Sequence, residues 1–174
     1  IKKWVGLNKR IEWLLVDICE SFIVIASFVL GWLYQLNNKY IIGLNDVLSD
    51  RLKYIAQTMS TYNIKLWGQY IEEHGNGGSI IAKDNYLFID NSFVRCMYEY
   101  GAIVFVLVIV LIFMAQKKML DNEKYIMCLA FFIVTIASFA EHHLLEIAYN
   151  PFIFSVFACM SNNDKVIMEE KRIC

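Results

Sequence analysis

From Gly101 to Ala115 the chain reads GAIVFVLVIVLIFMA, with no charge and no helix breaker after the glycine, and Lys117-Lys118 closes the run. A run of roughly 16 to 20 apolar residues, at about 1.5 Å rise each, covers most of a hydrocarbon core of about 30 Å. Tyr98 and Tyr100 stand at one end, where aromatic rings favour the headgroup level, and the paired lysines can snorkel at the other. A helix on the surface of a soluble protein carries a polar face, and this one has none. The stretch opens as a polar turn, Asp90-Asn91-Ser92, and a membrane span is predicted over 100–116 with its lysine end in the cytoplasm. The polar segment before it is then outside, and function is expected there.

The rest of the chain is read around that span. Of its residues 58% are hydrophobic, with a mean hydropathy of +0.46, a composition of integral membrane proteins. Net charge is −1 and no basic tract is long enough to hold a nucleic acid, so that class of partner is set aside. The five cysteines, Cys19, Cys96, Cys128, Cys159 and Cys174, lack the close spacing of zinc sites and suggest neither a disulfide framework nor a metal centre. Lys2, Lys3, Lys9 and Arg10 precede the first apolar run, as in a signal peptide. Leu14–Leu33 is too long for such a core and no small-residue cleavage site follows it, so the chain is expected to be a piece of a longer multi-span protein.

The predicted fold is all-α and polytopic, with about four transmembrane helices and one large external loop carrying short amphipathic helices. Its segments are a cytoplasmic stretch 1–12, a span 13–33, the external loop 34–99, a span 100–116, a cytoplasmic loop 117–124, a transmembrane hairpin 125–160 and a cytoplasmic tail 161–174. Residues 1–10, 116–124 and 161–174 hold ten of the sixteen lysines and arginines, and 34–99 holds the other six. That asymmetry places both termini in the cytoplasm with four crossings.

Within the first span, Asp17 and Glu20 share a helical face, and carboxylates at that depth need a protein interior, water or the cytoplasmic interface. In the loop, Ser49 is expected as N-cap of an amphipathic helix running to about Met59, with Asp50 favourable to its dipole. Gly68 marks a break after Tyr62, His74-Gly75-Asn76-Gly77-Gly78 is a turn, and Asp90 is expected to cap a helix continuing into the span. Tyr125 to Met160 as one helix would measure about 54 Å, so a hairpin is predicted, with Glu141–Glu146 at its outer end and Pro151 starting or kinking the return.

Chemistry is sought among few residues. Arg51 and Arg95 are the arginines of the loop, and a guanidinium fork suits phosphate, although either side chain can equally be solvated or snorkel among lipid headgroups. Glu141, His142 and His143, with Glu146, form the densest titratable group, and an imidazole there is either a general base or part of a polar cap. His142 and Glu146 fall on one helical face, while no HExxH-like spacing supports a metal. Asp90 and Asn91 read as a helix cap, and the Gly-rich turn lacks the lysine of a phosphate-binding loop.

Leu44-Asn45-Asp46-Val47-Leu48-Ser49-Asp50-Arg51-Leu52, followed by Tyr62-Asn63-Ile64-Lys65-Leu66-Trp67-Gly68-Gln69, resembles the large external loop of Wzy-type bacterial polysaccharide polymerases, relatives of the O-antigen ligases. Ile89-Asp90-Asn91-Ser92-Phe93 with Glu99-Tyr100-Gly101 is similar to the segment that re-enters the membrane in that family. Glu141-His142-His143-Leu144-Leu145 and Asn150-Pro151-Phe152 look like its C-terminal spans, so that the resemblance covers about Gly43 to Met160.

The resemblance implies inverting glycosyl transfer on the outer face of the bacterial cytoplasmic membrane, without metal or nucleotide cofactor. A growing glycan on undecaprenyl pyrophosphate would pass to a new lipid-linked repeat unit, building capsule, exopolysaccharide or O-antigen. Arg51 carries over as the loop arginine; Arg95 and Asp90 of this chain are the further candidates for substrate binding. Glu141, His142 and His143 fall in the membrane-proximal cavity, where a histidine activates the acceptor. Implied partners are lipid-linked repeat units, membrane lipid, a chain-length regulator and a flippase. The piece alone is expected to be inactive, because the family's N-terminal spans lie outside it. The rival readings are a ligase, differing in acceptor, and a transporter or non-catalytic membrane subunit in which Asp17, Glu20 and Glu146 line a path.

Overall fold

The computed structural model describes residues 9–74, 86–146 and 150. It is all-helical, and no named strand occurs among the described residues. In order come α1 (Lys9–Gln35), α2 (Lys39–Val47), α3 (Arg51–Thr61), α4 (Ser92–Arg95), a π turn (Cys96–Tyr100), α5 (Ala102–Asp121), α6 (Tyr125–Ala137) and a 3-10 turn (His143–Leu145). The chain runs up α1, crosses one end of the bundle through α2, α3 and α4, descends α5 and returns along α6.

Two helices, α1 from Trp13 and α5, are long and apolar enough to cross a membrane, fewer than the four predicted. Only 17% and 33% of their apolar windows are buried, whereas the core helix of a soluble protein is mostly covered. Phe22, Ile25, Trp32, Val106, Leu107 and Met114 face outward, an apolar surface that suits hydrocarbon. The third helix, α6, has 13 residues, about 20 Å, and stops short of a full crossing. The returning half of the predicted hairpin, the cytoplasmic tail, the first eight residues and the Gly-rich turn lie outside the described residues.

The apolar core between α1, α5 and α6 gathers Val108, Ile112, Ala115, Met119, Cys128 and Phe131. One polar bridge crosses it. Gln116 of α5 donates to Glu20 of α1 at 2.7 Å, and the Cys128 thiol of α6 donates to Gln116 Oε1 at 2.9 Å. Glu20 therefore has a partner inside the chain, the protein interior being one of the settings a carboxylate at that depth needs. In an apolar surround, a hydrogen bond between helices is the alternative to an unsatisfied polar group.

Three boundaries differ from expectation, each for a physical reason. The helix from Ser92 does not run on into α5: the π turn ends at Gly101, whose N–H donates to the Cys96 carbonyl at 3.1 Å, and Gly101 has φ +96. Helix α5 starts after it and continues past the paired lysines to Asp121. Ser49 does not cap α3, because Ser49 and Asp50 both take positive φ and Asp50 makes no side-chain cap bond. Buried Asn45 of α2 does that work instead: its Oδ1 accepts from Lys53 N–H at 3.0 Å and its Nδ2 donates to Asp50 Oδ1 at 2.8 Å. Helix α2 itself, unread in the sequence, is capped by Asn38, whose side chain accepts from Tyr40 N–H.

Candidate functional site

The loop layer is stitched to the helix ends, and that stitching builds the site. Helix α3 lies against α1, where Gln35 Nε2 donates to the Ala56 carbonyl at 2.8 Å. A second, deeper seam runs through Asn91, which is 1% exposed. Its Oδ1 accepts from Phe93 and Val94 N–H, both at 3.0 Å, which makes Asn91 rather than Asp90 the cap of α4. Its Nδ2 donates to Ser27 Oγ of α1 at 3.0 Å and to the Phe139 carbonyl beyond α6 at 2.8 Å. Ser27 lies eight residues before the end of α1, so α4 descends about 12 Å below that end.

With Asn91 spent on the cap, Asp90 is free to face Arg51. Arg51, in the first turn of α3, donates through Nη2 to Glu141 Oε1 at 3.0 Å, and its Nε lies 3.7 Å from Asp90 Oδ2. Burial pushes the Asp90 carboxyl above its ordinary value, and so does the neighbouring Glu141 charge; Arg51, His142 and Arg95 pull the other way. Arg51 keeps 31% of its side-chain surface open and Glu141 keeps 46%, so solvent and solute reach the pair.

Glu141 is fixed through its main chain. Ser92 Oγ donates to the Glu141 carbonyl, and Leu144 N–H donates to the same Oγ at 3.2 Å. Those bonds hold the turn after α6 against α4. Helix α6 ends at Ala137, and His142 and His143, which would diverge on a helix, come together with ring centroids 4.1 Å apart. Glu146 lies 3.4 Å from His142 Nε2 and 3.2 Å from His143 Nδ1. One ligand atom from each of Glu141, His142 and His143 falls within 4.8 Å of the others, a set able to hold a cation.

Phe88 links this group to Arg95. Its ring meets His142 edge-on at 5.2 Å, and the Arg95 guanidinium carbon lies 5.1 Å from its centroid. Arg95 is held on all sides: it pairs with Glu73, lies 3.7 Å from Glu99, and donates through Nε to the Ile89 carbonyl at 3.0 Å. A ligand reaches its fork only by displacing a carboxylate. Glu99 is raised above its ordinary value chiefly by burial, and Arg95 lowers it in part.

All six candidate residues, Arg51, Asp90, Arg95, Glu141, His142 and His143, are therefore brought into one continuous group by α3, α4 and the turn after α6. The sequence reading passed over Glu73, Phe88 and Ser92. Nothing in the local pattern marks Glu73, while Ser92 beside a cap and Phe88 before a charged turn look like ordinary structural residues. No family model, curated protein or solved structure matches the chain.

Proposed function

We propose that this chain is part of a membrane-embedded inverting glycosyltransferase that polymerises undecaprenyl-pyrophosphate-linked repeat units into surface polysaccharide. The observation that carries the reading is the contact between Arg51 and Glu141, 90 residues apart, beside two histidines at one end of two apolar helices. A partly open guanidinium next to a carboxylate and an imidazole provides a leaving-group ligand and a base within one site.

In this reading the donor pyrophosphate takes the Arg51 fork in place of Glu141, since a phosphate accepts bidentate bonds and carries more charge than one carboxylate. The acceptor hydroxyl attacks the anomeric carbon, the bond from that carbon to the pyrophosphate oxygen breaks, and inversion follows from attack opposite the leaving group. His142 or the displaced Glu141 takes the hydroxyl proton, and Arg51 stabilises the charge that develops on the leaving pyrophosphate. Asp90 orients Arg51, and Arg95 stiffens the wall behind His142 through Phe88. The protein then sits as a multi-pass component of the bacterial cytoplasmic membrane, with both ends of this piece cytoplasmic. Its partners are lipid-linked repeat units, membrane lipid, a chain-length regulator and a flippase. A ligase would use the same donor chemistry on another acceptor.

One observation favours the rival class. Glu20 is buried between helices, and its Oε2 has no hydrogen-bond partner among the described residues, as expected of a group on a transport path. A single experiment separates the two. In the full-length gene, Arg51→Ala and Glu20→Gln are introduced separately into a deletion background, membrane levels are matched, and surface polysaccharide is resolved on a gel. Collapse of the ladder to one repeat unit with Arg51→Ala, but not with Glu20→Gln, supports the polymerase. An intact ladder in the deletion strain itself overturns it.

A further inference from the structure

We propose that residues 64–70 are an interfacial anchor: Ile64, Leu66, Trp67 and Tyr70 dock on the headgroup boundary of the bilayer that α5 crosses, with Lys65 among the lipid phosphates. The proposal rests on the reading of α5 as a membrane span and not on the glycan chemistry.

These side chains are more open than an ordinary loop explains. Trp67 and Tyr70 keep 83% and 85% of their surface exposed, and Ile64 and Leu66 are exposed beside them. A single apolar residue on a protein surface is normal, whereas several gathered on one short segment mark a place of contact.

The backbone beneath them is held, so the fold itself imposes the exposure. Gln69 N–H donates to the Glu99 carbonyl at 3.0 Å. The Gln69 side chain donates to the Asn63 carbonyl at 2.6 Å and to the Tyr98 carbonyl at 3.3 Å. Gly68, at φ +82, lies directly against the backbone of Glu99 and Tyr100.

The same bonding fixes the height of the segment. Ala102 N–H donates to the Lys65 carbonyl at 3.0 Å, and Ile103 N–H donates to the Leu66 carbonyl at 3.3 Å. Lys65 and Leu66 therefore sit on the first turn of α5. The uncharged part of that helix, residues 102–116, covers roughly 22 Å, less than a hydrocarbon core of about 30 Å. With Lys117 and Lys118 at one interface, Ala102 lies at or inside the opposite boundary, and the segment bonded to it cannot stand clear of the lipid. Irregular backbone at that level needs internal partners, which the open N–H groups of α5 provide for these carbonyls. The outward apolar surface of α5, from Val104 through Val106 and Leu107, is thus continued by the exposed side chains of 64–70.

The residue types select the occupant. Tryptophan and tyrosine favour the headgroup level, isoleucine and leucine gain by entering the acyl boundary, and a lysine ammonium meets phosphate. A sugar would use the two rings alone and leave Ile64 and Leu66 in water. The anchor ties the loop layer to the bilayer at a point beside the spans.

The test uses the full-length protein with every tryptophan except Trp67 replaced by phenylalanine, reconstituted into vesicles of phosphatidylcholine and phosphatidylglycerol. A second chain keeps only Trp32, on the outward face of α1, as the control for a lipid-facing ring. Trp67 is expected to lose most of its fluorescence to lipid brominated close to the headgroup, less to lipid brominated near the chain end, and little to aqueous iodide. If the single-tryptophan chain does not fold, the difference in quenching between wild type and Trp67→Phe reads the same ring. Quenching by iodide without a response to brominated lipid puts Trp67 in water, free for a soluble ligand such as a sugar, and overturns the anchor. Silence to both quenchers means that protein covers the ring, and it overturns the anchor equally. If Trp32 also ignores brominated lipid, the membrane reading of the helices falls with it. None of these readouts depends on polymer synthesis, so they leave the glycosyltransferase reading to its own experiment.

Discussion

Gly68 and Gly101 meet backbone to backbone: a Cβ built on Gly101 would lie 2.3 Å from the Gly68 nitrogen, and one on Gly68 would lie 2.3 Å from the Glu99 carbonyl oxygen. Both residues have positive φ, +82 and +96. The contact lets Ala102 N–H donate to the Lys65 carbonyl at 3.0 Å, so the loop supplies acceptors for the open N-terminus of α5. Gly101→Ala must therefore strain the backbone and push the loop away, since the neighbouring atoms are main chain and cannot rotate aside. A loss of at least roughly 1–3 kcal/mol is expected from the strained φ alone. Thermal unfolding in detergent checks it, and a variant as stable as wild type would show that the two segments do not meet.

Asn91 spends all its hydrogen-bonding capacity on three separate elements. Asn91→Ala leaves two buried N–H groups, a serine hydroxyl and a carbonyl without their partner. The expected cost is about 2–4 kcal/mol, combining a lost helix cap with unsatisfied buried groups. The sign is read from unfolding in detergent, and a shift smaller than that for Ser92→Ala would contradict the central place given to this residue.

Arg51 should separate stability from function. Its pairs with Glu141 and Asp90 are partly exposed, and such pairs contribute under about 1 kcal/mol. Arg51→Ala is expected to fold normally, express at wild-type level and lose polymer. Arg51→Lys should restore little, because an ammonium lacks the planar fork. Equal loss of protein and polymer would mean that Arg51 is structural.

The bridge through Gln116 makes a prediction about the helix bundle. Gln116→Leu removes the partner of both Glu20 and Cys128, at an expected cost of about 1–2 kcal/mol, the upper range for hydrogen bonds between helices in lipid. Glu20→Gln keeps a hydrogen-bonding group at the same place and should be nearly neutral. Unfolding in a bilayer or bicelle orders the two variants, and the reverse order would remove the bridge from the account.

Asp90 sets a pH dependence whose sign follows from burial. Its carboxyl is raised above the ordinary 3.8, so the folded state holds that proton more tightly than the unfolded chain does. The contribution of Asp90 to stability is therefore fully present below 3.8 and is lost as pH rises through the raised folded value. Asp90→Asn removes this slope. Melting temperatures of wild type and Asp90→Asn, compared between acid and neutral pH, should move in favour of the variant as pH rises.

Much of this protein was legible in its sequence. A long apolar run satisfies its backbone in lipid as a helix, so α1, despite Asp17 and Glu20, and α5 followed from composition and length without knowledge of any contact. The candidate residues were legible too, as the scarce arginines and the one dense group of histidine and carboxylate. Sequence could not decide which cap binds which helix. Asp90 and Asn91 are chemically similar caps, and only the packing of α4 against Ser27 and Phe139 assigned the task to Asn91 and left Asp90 to Arg51. The same holds for Glu20, whose partner lies 96 residues away on α5. Local chemistry determines which elements form because backbone satisfaction and hydrophobic length are properties of a short stretch. Which charges meet is a property of the closed fold, because Arg51 and Glu141 share no local signal and are joined only when α3 and the turn after α6 cover the same end of the helices.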